Sequence, residues 1–165
     1  MDITLGGESV SIRPIRKADA ELESAFVHHL SAESKHFRFL GGVRDLPASE
    51  LKRLCDVDGT HSMAFVATIQ RDGREVEIGV SRYEPDARAD VREIAVTVAD
   101  EWQHRGLGTI LMKLLIQSAK SNGVKQLYSV DLADNAAMSA LAQDLGMIRT
   151  RDPDDPRQVI YSLTL

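Results

Sequence analysis

The sequence predicts a single α/β or α+β domain built on a mixed β-sheet, and three observations lead to this prediction. The chain has 165 residues, close to the length of one domain, and 43% of them are hydrophobic, enough for one core. Strand and helix patterns follow each other irregularly instead of alternating one for one. No repeat, low-complexity stretch or linker divides the chain. We therefore expect residues 1–165 to form one domain.

The first third of the chain predicts a β-hairpin followed by two helices. Gly6-Gly7 separates two short apolar segments, which is typical of a glycine turn between paired strands. Apolar residues in 17–30 recur at the spacing of one helical face. Residues 47–57 predict a second helix, with its proline in the first turn. Between these helices, residues 31–39 fit either a substrate-side loop or a simple helix–helix connection.

The middle of the chain predicts three strands. Residues 63–69 are a short apolar run, and Asp72-Gly73 after it is typical of a hairpin turn. The next strand, around residues 76–81, alternates apolar and polar side chains as a half-buried strand does. A polar connection then leads to a third strand over residues 92–98.

From Gly106 onwards the hydrophobic period becomes helical, and the pattern continues to about residue 121, with Gly123 as its end. Asn135 is expected to cap a further helix that Gly146 ends. Residues 152–156 have the composition of a turn. Two more strands are predicted, at residues 126–132 and 159–163.

Composition limits the partners and the compartment. The chain has 20 basic and 25 acidic residues, a net charge of −5, which disfavours nucleic acid as a partner. No apolar run reaches the length of a membrane helix, so we expect no membrane either. Cys55 is the single cysteine, which excludes intramolecular disulfides and cysteine-built zinc sites and favours the cytoplasm. We expect Cys55 to be a buried structural thiol, and we expect no metal at the histidines His28, His29 and His36.

Residues 96–109 have the features of an anion site. A strand ends there, a polar turn follows, and Gly106 and Gly108 precede an amphipathic helix. Free N–H groups at a helix start attract anions, and glycines let the backbone approach a ligand closely. His104 and Arg105 add side-chain donors, so a pyrophosphate is the expected ligand. The segment does not fit the nucleoside-triphosphate loop, because it lacks that loop's lysine. It does not fit the dinucleotide fingerprint either, because Leu111 stands at the position of the third glycine.

Several segments together resemble the GNAT acetyltransferases. Gln103-His-Arg-Gly-Leu-Gly108 is similar to the acetyl-CoA pyrophosphate loop of that family, and Asn135 matches its asparagine after the next strand. Leu145-Gly146-Met147 resembles the usual exit from the following helix, and Ser11-Ile-Arg-Pro-Ile-Arg16 resembles the opening strand. The resemblance implies the GNAT fold, a central mixed and mostly antiparallel twisted sheet flanked by helices, with acetyl-CoA as co-substrate.

A closer resemblance is to the acetyltransferase domain of bacterial Pat-type protein lysine acetyltransferases. It rests on the opening hairpin, on residues 31–39 and on residues 93–108. The large regions often fused to that domain do not fit in 165 residues. The resemblance implies an N-acetyltransferase acting on a primary amine, a protein lysine in the first instance, as a monomer or homodimer. A small-molecule amine acceptor and a non-catalytic acyl-CoA-binding sensor remain as alternatives.

The resemblance also implies roles for particular residues. Glu93 would be the general base, on a strand face that it shares with small Ala95 and Thr97, and we expect it to be partly buried. The alternative is that Glu93 forms an ion pair with a nearby arginine. The backbone N–H of Val96 would polarise the thioester carbonyl. Ala142 stands where many relatives carry a tyrosine that acts as the acid, so the resemblance implies that either water or no dedicated acid protonates the thiolate. Cofactor binding is assigned to Val96, Thr97, Val98, Gln103, His104, Arg105, Gly106, Leu107, Gly108, Thr109 and Asn135.

Overall fold

The computed structural model describes residues 1–42 and 45–165. Its strands are β1 Asp2–Leu5, β2 Glu8–Pro14, β3 Met63–Arg71, β4 Arg74–Pro85, β5 Val91–Val98, β6 Gln126–Leu132, β7 Ile148–Arg151 and β8 Gln158–Thr164. Its α-helices are α1 Ala20–His29, α2 Ala32–Arg38, α3 Ala48–Cys55, α4 Leu107–Ser121 and α5 Ala136–Asp144, with short 3₁₀ turns at Lys17–Asp19 and Asp100–Trp102.

The eight strands form one mixed sheet in the order β1-β2-β3-β4-β5-β6-β8-β7. Every neighbouring pair is antiparallel except β5 and β6, which are parallel. This confirms the predicted fold class. The hairpin turn at Gly6-Gly7, the helix ends at Gly123 and Gly146 and the cap at Asn135 are also confirmed, because each depends on local backbone chemistry.

Helices cover both faces of the sheet, as two consecutive residues of β4 show. The Ser81 hydroxyl donates to the Leu111 carbonyl of α4 (3.1 Å), whereas Arg82 Nη1 donates to the Leu54 carbonyl of α3 (3.0 Å). Successive strand side chains point to opposite faces, so α4 lies on one face and α3 on the other. Helix α1 lies on the α3 face, where Glu23 accepts a hydrogen bond from Arg82 Nη2 (2.9 Å).

Residues 31–39 contain a helix, α2, where a loop or a connection was expected. Ser31 begins it, and its hydroxyl oxygen accepts a hydrogen bond from the Ser34 backbone N–H (3.1 Å). No residue of α2 is buried. The helix therefore lacks the apolar stripe by which a sequence indicates helical structure.

The prediction that β4 is half-buried is wrong. Glu77 is 3% exposed and Ser81 is fully buried, because β4 lies between β3 and β5 and has helices on both faces. The regular alternation is also broken by a β-bulge. Ala67 pairs with Gly79 and Thr68 with Glu77, which leaves Ile78 as an extra residue.

Strand β7 was not predicted from the sequence. It is a four-residue edge strand, and all four of its side chains are exposed. An exposed edge strand carries no buried face and hence no hydrophobic alternation. Among the helices that the structure describes, none has the length and apolar character needed to cross a membrane.

Candidate active site

The sheet splits between its two central parallel strands. Strands β5 and β6 pair only from Val91 and Gln126 to Glu93 and Tyr128. Beyond that point β5 continues to Val98 and β6 to Leu132, but the two strands no longer pair with each other. The backbone edge of the second half of β5 therefore faces an open cleft in the sheet, which we call the split.

Val96 presents its backbone to the split. The Ala99 N–H donates to the Ile78 carbonyl in β4 (2.8 Å). Every second residue back from Ala99, beginning with Thr97, therefore directs its backbone N–H and C=O groups to β4. In an antiparallel ladder the alternate residues point the other way. Val96 and Val98 therefore direct their N–H and C=O groups into the split, and the Val98 carbonyl accepts a hydrogen bond from Gln103 Nε2 (3.0 Å).

An uncapped helix start lies next to the end of β5. Gly106 has a left-handed backbone (φ +86°), which glycine adopts without strain, and α4 begins at the next residue. Among residues 1–42 and 45–165, no side chain caps this end, and the first turn holds no acidic residue. The first N–H groups of α4 have no partners within the helix. His104 and Arg105 are exposed beside them, so the segment retains the properties of an anion site.

Gly108 leaves room where α4 approaches β5 and α5. A Cβ atom placed on it would lie 3.7 Å from Leu141 Cδ2 and 3.7 Å from Val98 Cγ2, which is ordinary contact. Neither packing nor backbone conformation thus requires glycine here. The missing side chain leaves space between the start of α4 and the edge of β5, which we call the cradle, and the N–H groups at the helix start suit an anionic group there.

The other loop residues assigned by resemblance have different surroundings. Arg105 lies over the ring of Trp102 (4.9 Å to the centroid), which is buried behind the loop. Leu107 is 1% exposed in the core, so only its backbone faces the loop. Gln103 directs its amide to Ser34 Oγ (3.2 Å) as well as to Val98. Thr97, Val98 and Thr109 are half-buried.

Asn135 caps α5, as predicted. Its Oδ1 accepts a hydrogen bond from the Met138 N–H (3.1 Å). Within the described part of the chain its side-chain Nδ2 has no hydrogen-bond acceptor, and the residue is half-buried. The cap therefore leaves the amide nitrogen available to a ligand.

Glu93 is the last β5 residue that pairs with β6, and it stands at the mouth of the split. It is exposed, which corrects the expected partial burial, because the strands separate directly after it. Among the residues that the structure describes, none forms an ion pair with Glu93. The nearby arginines are engaged elsewhere, Arg53 with Glu84 (2.9 Å) and Arg88 with Asp86 (2.9 Å).

Asp131 is a residue of the site that sequence reasoning missed. It lies on β6 beyond the last paired residue, and its carboxylate accepts a hydrogen bond from Ser129. Burial raises the pKa of the Asp131 carboxyl, the Ser129 hydrogen bond opposes this, and the charge of Glu93 across the split raises the pKa further. The sequence gives no clear signal for it, because Asp131 follows polar Ser129 in the alternation of β6, and only the structure shows that its cross-strand partner Val159 is buried.

The tyrosine near Glu93 does not supply an available acid. Tyr128 donates its hydroxyl to Asp86 Oδ2 (2.8 Å). Burial and this hydrogen bond hold the pKa of the Tyr128 phenol above its ordinary value. Ala142, at the position of the family's tyrosine, is 1% exposed and has no proton to donate.

Cys55 and the histidines lie outside this site. Cys55 is 1% exposed, as predicted, and burial raises the pKa of its thiol to about 11, which makes it a poor nucleophile. His28 is exposed and lies 3.7 Å from Asp45. Over residues 1–42 and 45–165, no three His, Cys, Asp or Glu side chains are grouped so as to hold a metal ion.

Comparison with known proteins identifies the family. The model of the acetyltransferase (GNAT) family matches residues 23–147. An acetyltransferase of Pseudomonas aeruginosa is 46% identical over 159 residues, which cover 96% of this chain and 86% of that protein. The acetyltransferase Pat of Mycolicibacterium smegmatis is 32% identical over 152 residues, which cover 88% of this chain and 43% of that protein.

Solved structures agree with the sequence comparisons. The GNAT domain of S. lividans PAT superimposes with a TM-score of 0.87 at 27% identity, covering 100% of this chain and 96% of that one. A cAMP-binding acyltransferase from Mycobacterium smegmatis superimposes with a TM-score of 0.67 at 28% identity, covering 99% of this chain and 46% of that one. The chain thus spans less than half the length of both mycobacterial proteins. The split sheet, the glycine loop at the start of α4 and these matches show that the chain belongs to the GNAT acetyltransferase family.

Proposed function

We propose that the protein transfers an acetyl group from acetyl-CoA to a primary amine, a protein lysine in the first instance, by direct attack in a ternary complex. The observation that carries this proposal is Glu93. Its carboxylate has no ion-pair partner in the described part of the chain, and it stands where the strands separate. A carboxylate in that position can attract a cationic amine and accept its proton.

The binding half of the proposal rests on the cradle at the start of α4. The N–H groups of Leu107, Gly108 and Thr109 would hold the pyrophosphate, with His104 and Arg105 as additional donors. Val96 would pair with the pantetheine arm as an added strand does. The Asn135 amide nitrogen provides a further donor on the opposite side of the split. Acetyl-CoA, when bound, supplies an activated thioester.

The chemical half assigns two steps to β5. A lysine amine has a pKa near 10.4 in water and arrives mostly protonated, so Glu93 removes its proton directly or through water. The Val96 N–H donates to the thioester carbonyl oxygen as negative charge develops on it. Val96 lies three residues beyond Glu93, about 10 Å along the strand. The departing thiolate takes its proton from water, which is tolerable because a thiolate is a good leaving group (pKa of about 8.5 for a cysteine thiol).

The surroundings of Glu93 favour a cationic acceptor. Glu84 is its cross-strand partner on β4, and Asp131 lies across the split on β6. Arg53 offsets the charge of Glu84, which leaves the patch acidic. An acidic mouth attracts a lysine side chain or a polyamine more strongly than a neutral amine. The Pat-like segments favour the lysine of a protein.

Calorimetric titration with acetyl-CoA, together with a free-thiol release assay, tests the proposal. The assay is run against lysine-containing proteins and against small amines. We expect binding, and thiol release with a protein acceptor. Release only with a small amine would correct the acceptor class, and binding without release on any acceptor would favour an acyl-CoA sensor. No binding would overturn the proposed function.

The Glu93→Gln variant tests the base. We expect acetyl-CoA affinity to stay within about twofold and kcat/KM to fall by about 10²-fold or more, with the largest loss at low pH, where the amine is fully protonated. Glu21→Gln, an exposed carboxylate on α1, serves as the matched control. Normal turnover of Glu93→Gln at every pH would remove Glu93 from the mechanism.

A further inference from the structure

Helix α2 is tied to the candidate cofactor loop by a group of hydrogen bonds that we call the α2 clamp. Its centre is Asp100, the first residue of the 3₁₀ turn between β5 and the loop. Asp100 Oδ2 accepts from the Ser31 N–H (2.9 Å), and Asp100 Oδ1 accepts from the hydroxyls of Ser31 (2.6 Å) and Ser34 (2.7 Å). Gln103 Nε2 donates to Ser34 Oγ (3.2 Å) and to the Val98 carbonyl (3.0 Å), which ties the clamp to the end of β5.

The clamp fixes the first turn of α2, while Phe39, directly after its last residue, packs against the core at the other end. No residue of α2 is buried, so hydrophobic packing does not fix its first turn. Although burial acts to raise it, the hydrogen bonds from Ser31 and Ser34 hold the pKa of Asp100 below its ordinary value. The carboxylate therefore remains charged at neutral pH, and hydrogen bonds to a charged acceptor are stronger than neutral ones.

The far end of α2 approaches α3, on the side of the sheet where the acceptor amine is proposed to meet Glu93, which we call the acceptor side. Arg38, its last residue, lies within electrostatic range of Glu50 and Arg53 on α3. Arg53 in turn pairs with Glu84, the cross-strand partner of Glu93. A seven-residue helix is about 10 Å long. Helix α2 thus begins beside the cofactor loop and ends near α3, whose Arg53 pairs with the cross-strand partner of the candidate base.

We propose that Asp100 is a positioning residue that transmits occupation of the cofactor loop to α2, with Ser34 and Gln103 completing the connection. The proposal rests on the function proposed above for the loop. A ligand that immobilises the loop reduces the motion of the turn that carries Asp100. Because three hydrogen bonds join that turn to α2, the helix becomes ordered against the acceptor side when the loop is filled.

Amide hydrogen exchange of the purified protein, with and without coenzyme A, tests this proposal. In the wild type we expect coenzyme A to slow exchange in α2 by about fivefold or more, as well as in the first turn of α4. In Asp100→Ala the slowing should persist in α4 and fall below about twofold in α2. Ser34→Ala should have an intermediate effect, because it keeps the two bonds between Asp100 and Ser31. A merely structural role would loosen α2 equally with and without coenzyme A.

The controls separate the possible failures. Glu33→Ala changes an exposed neighbour on α2 and should respond as the wild type does. Alanine is a better helix former than serine, so a loss of response in Ser34→Ala cannot come from a weaker helix. Binding of coenzyme A by calorimetry without any slowing in α2, or an equal slowing in Asp100→Ala, would overturn this proposal alone. No binding by the wild type would overturn the proposed function and this inference with it.

Discussion

At the scale of single residues, Gly108 separates the requirements of folding from those of a ligand. Among the described residues, a Cβ atom there would meet only ordinary contacts, and the backbone conformation suits any residue. Gly106 is the opposite case, because the space around it is open but its φ of +86° disfavours any other residue. The backbone conformation therefore accounts for glycine at position 106, whereas at position 108 the folded structure alone does not require it.

Alanine at these two positions should affect the free energy of unfolding differently. We expect Gly108→Ala to leave the free energy of unfolding unchanged or to raise it by up to about 1 kcal/mol, since alanine favours helix. Gly106→Ala should lower it by about 1–2 kcal/mol. Gly108→Ala should still weaken acetyl-CoA binding at least tenfold, because the methyl group occupies the cradle. Urea unfolding and calorimetry measure the two effects, and undiminished affinity in Gly108→Ala would contradict the cradle.

Cys55 illustrates how burial controls reactivity. Burial, with the charge of Glu23 nearby, raises the pKa of its thiol to about 11. We expect a thiol reagent to modify less than a tenth of the folded protein at pH 8 in the time that modifies all of the urea-unfolded protein. Cys55→Ala should keep its turnover. Rapid labelling of the folded chain would show that the helix pairing of α1 and α3 opens readily.

At the scale of elements, Asn135 has two roles that substitution can separate. Aspartate caps a helix as well as asparagine does but lacks the amide nitrogen, whereas alanine lacks both. We expect Asn135→Asp to keep its stability and to bind acetyl-CoA about fivefold or more weakly. Asn135→Ala should bind weakly and also lose about 1 kcal/mol of unfolding free energy. Equal affinities of Asn135→Asp and the wild type would limit Asn135 to capping.

At the scale of the whole molecule, a buried carboxyl pair makes stability depend on pH. Arg82 occupies only one oxygen of Glu23, and both oxygens of Glu77 lack a hydrogen-bond donor among the described residues. Burial and the charge of Glu23 raise the pKa of Glu77 well above its ordinary value. A protonated Glu77 can donate from one of its oxygens to Glu23 Oε2, which gives two of these three oxygens a partner.

The sign of this dependence follows from proton binding. In the unfolded chain Glu77 ionises near pH 4.3, while in the folded protein it keeps its proton to higher pH. The folded state thus binds more protons, and its stability falls as pH rises from about 4.3 towards the raised pKa of Glu77. Glutamine keeps a donor towards Glu23 and does not titrate.

We therefore expect Glu77→Gln to raise the free energy of unfolding at pH 8 by about 1–2 kcal/mol and to flatten its decline between pH 5 and pH 8. Urea unfolding at pH 5, 6.5 and 8 measures both quantities. The exposed Glu21→Gln variant is the control and should follow the wild type. An unchanged slope in Glu77→Gln would mean that another group dominates this pH range.

Local chemistry made part of the fold and site predictable from the sequence alone. The glycine loop before α4 and the Asn135 cap depend on residues a few positions apart, so spacing indicates them. The strand that carries Glu93 and Val96 was predicted because alternation reports which side chains share a face. The same local information determined where α4 and α5 end.

Only the tertiary structure decided the rest, because it depends on residues that are distant in the chain. The bonds between Asp100 and α2 join positions up to 69 residues apart, and α2 has no apolar face to predict it. The burial of Glu77 follows from helices packing on both faces of β4. The exposure of Glu93 follows from the separation of β5 and β6. Sequence patterns report a side chain's own element, while contacts between elements set its solvation, charge and partners.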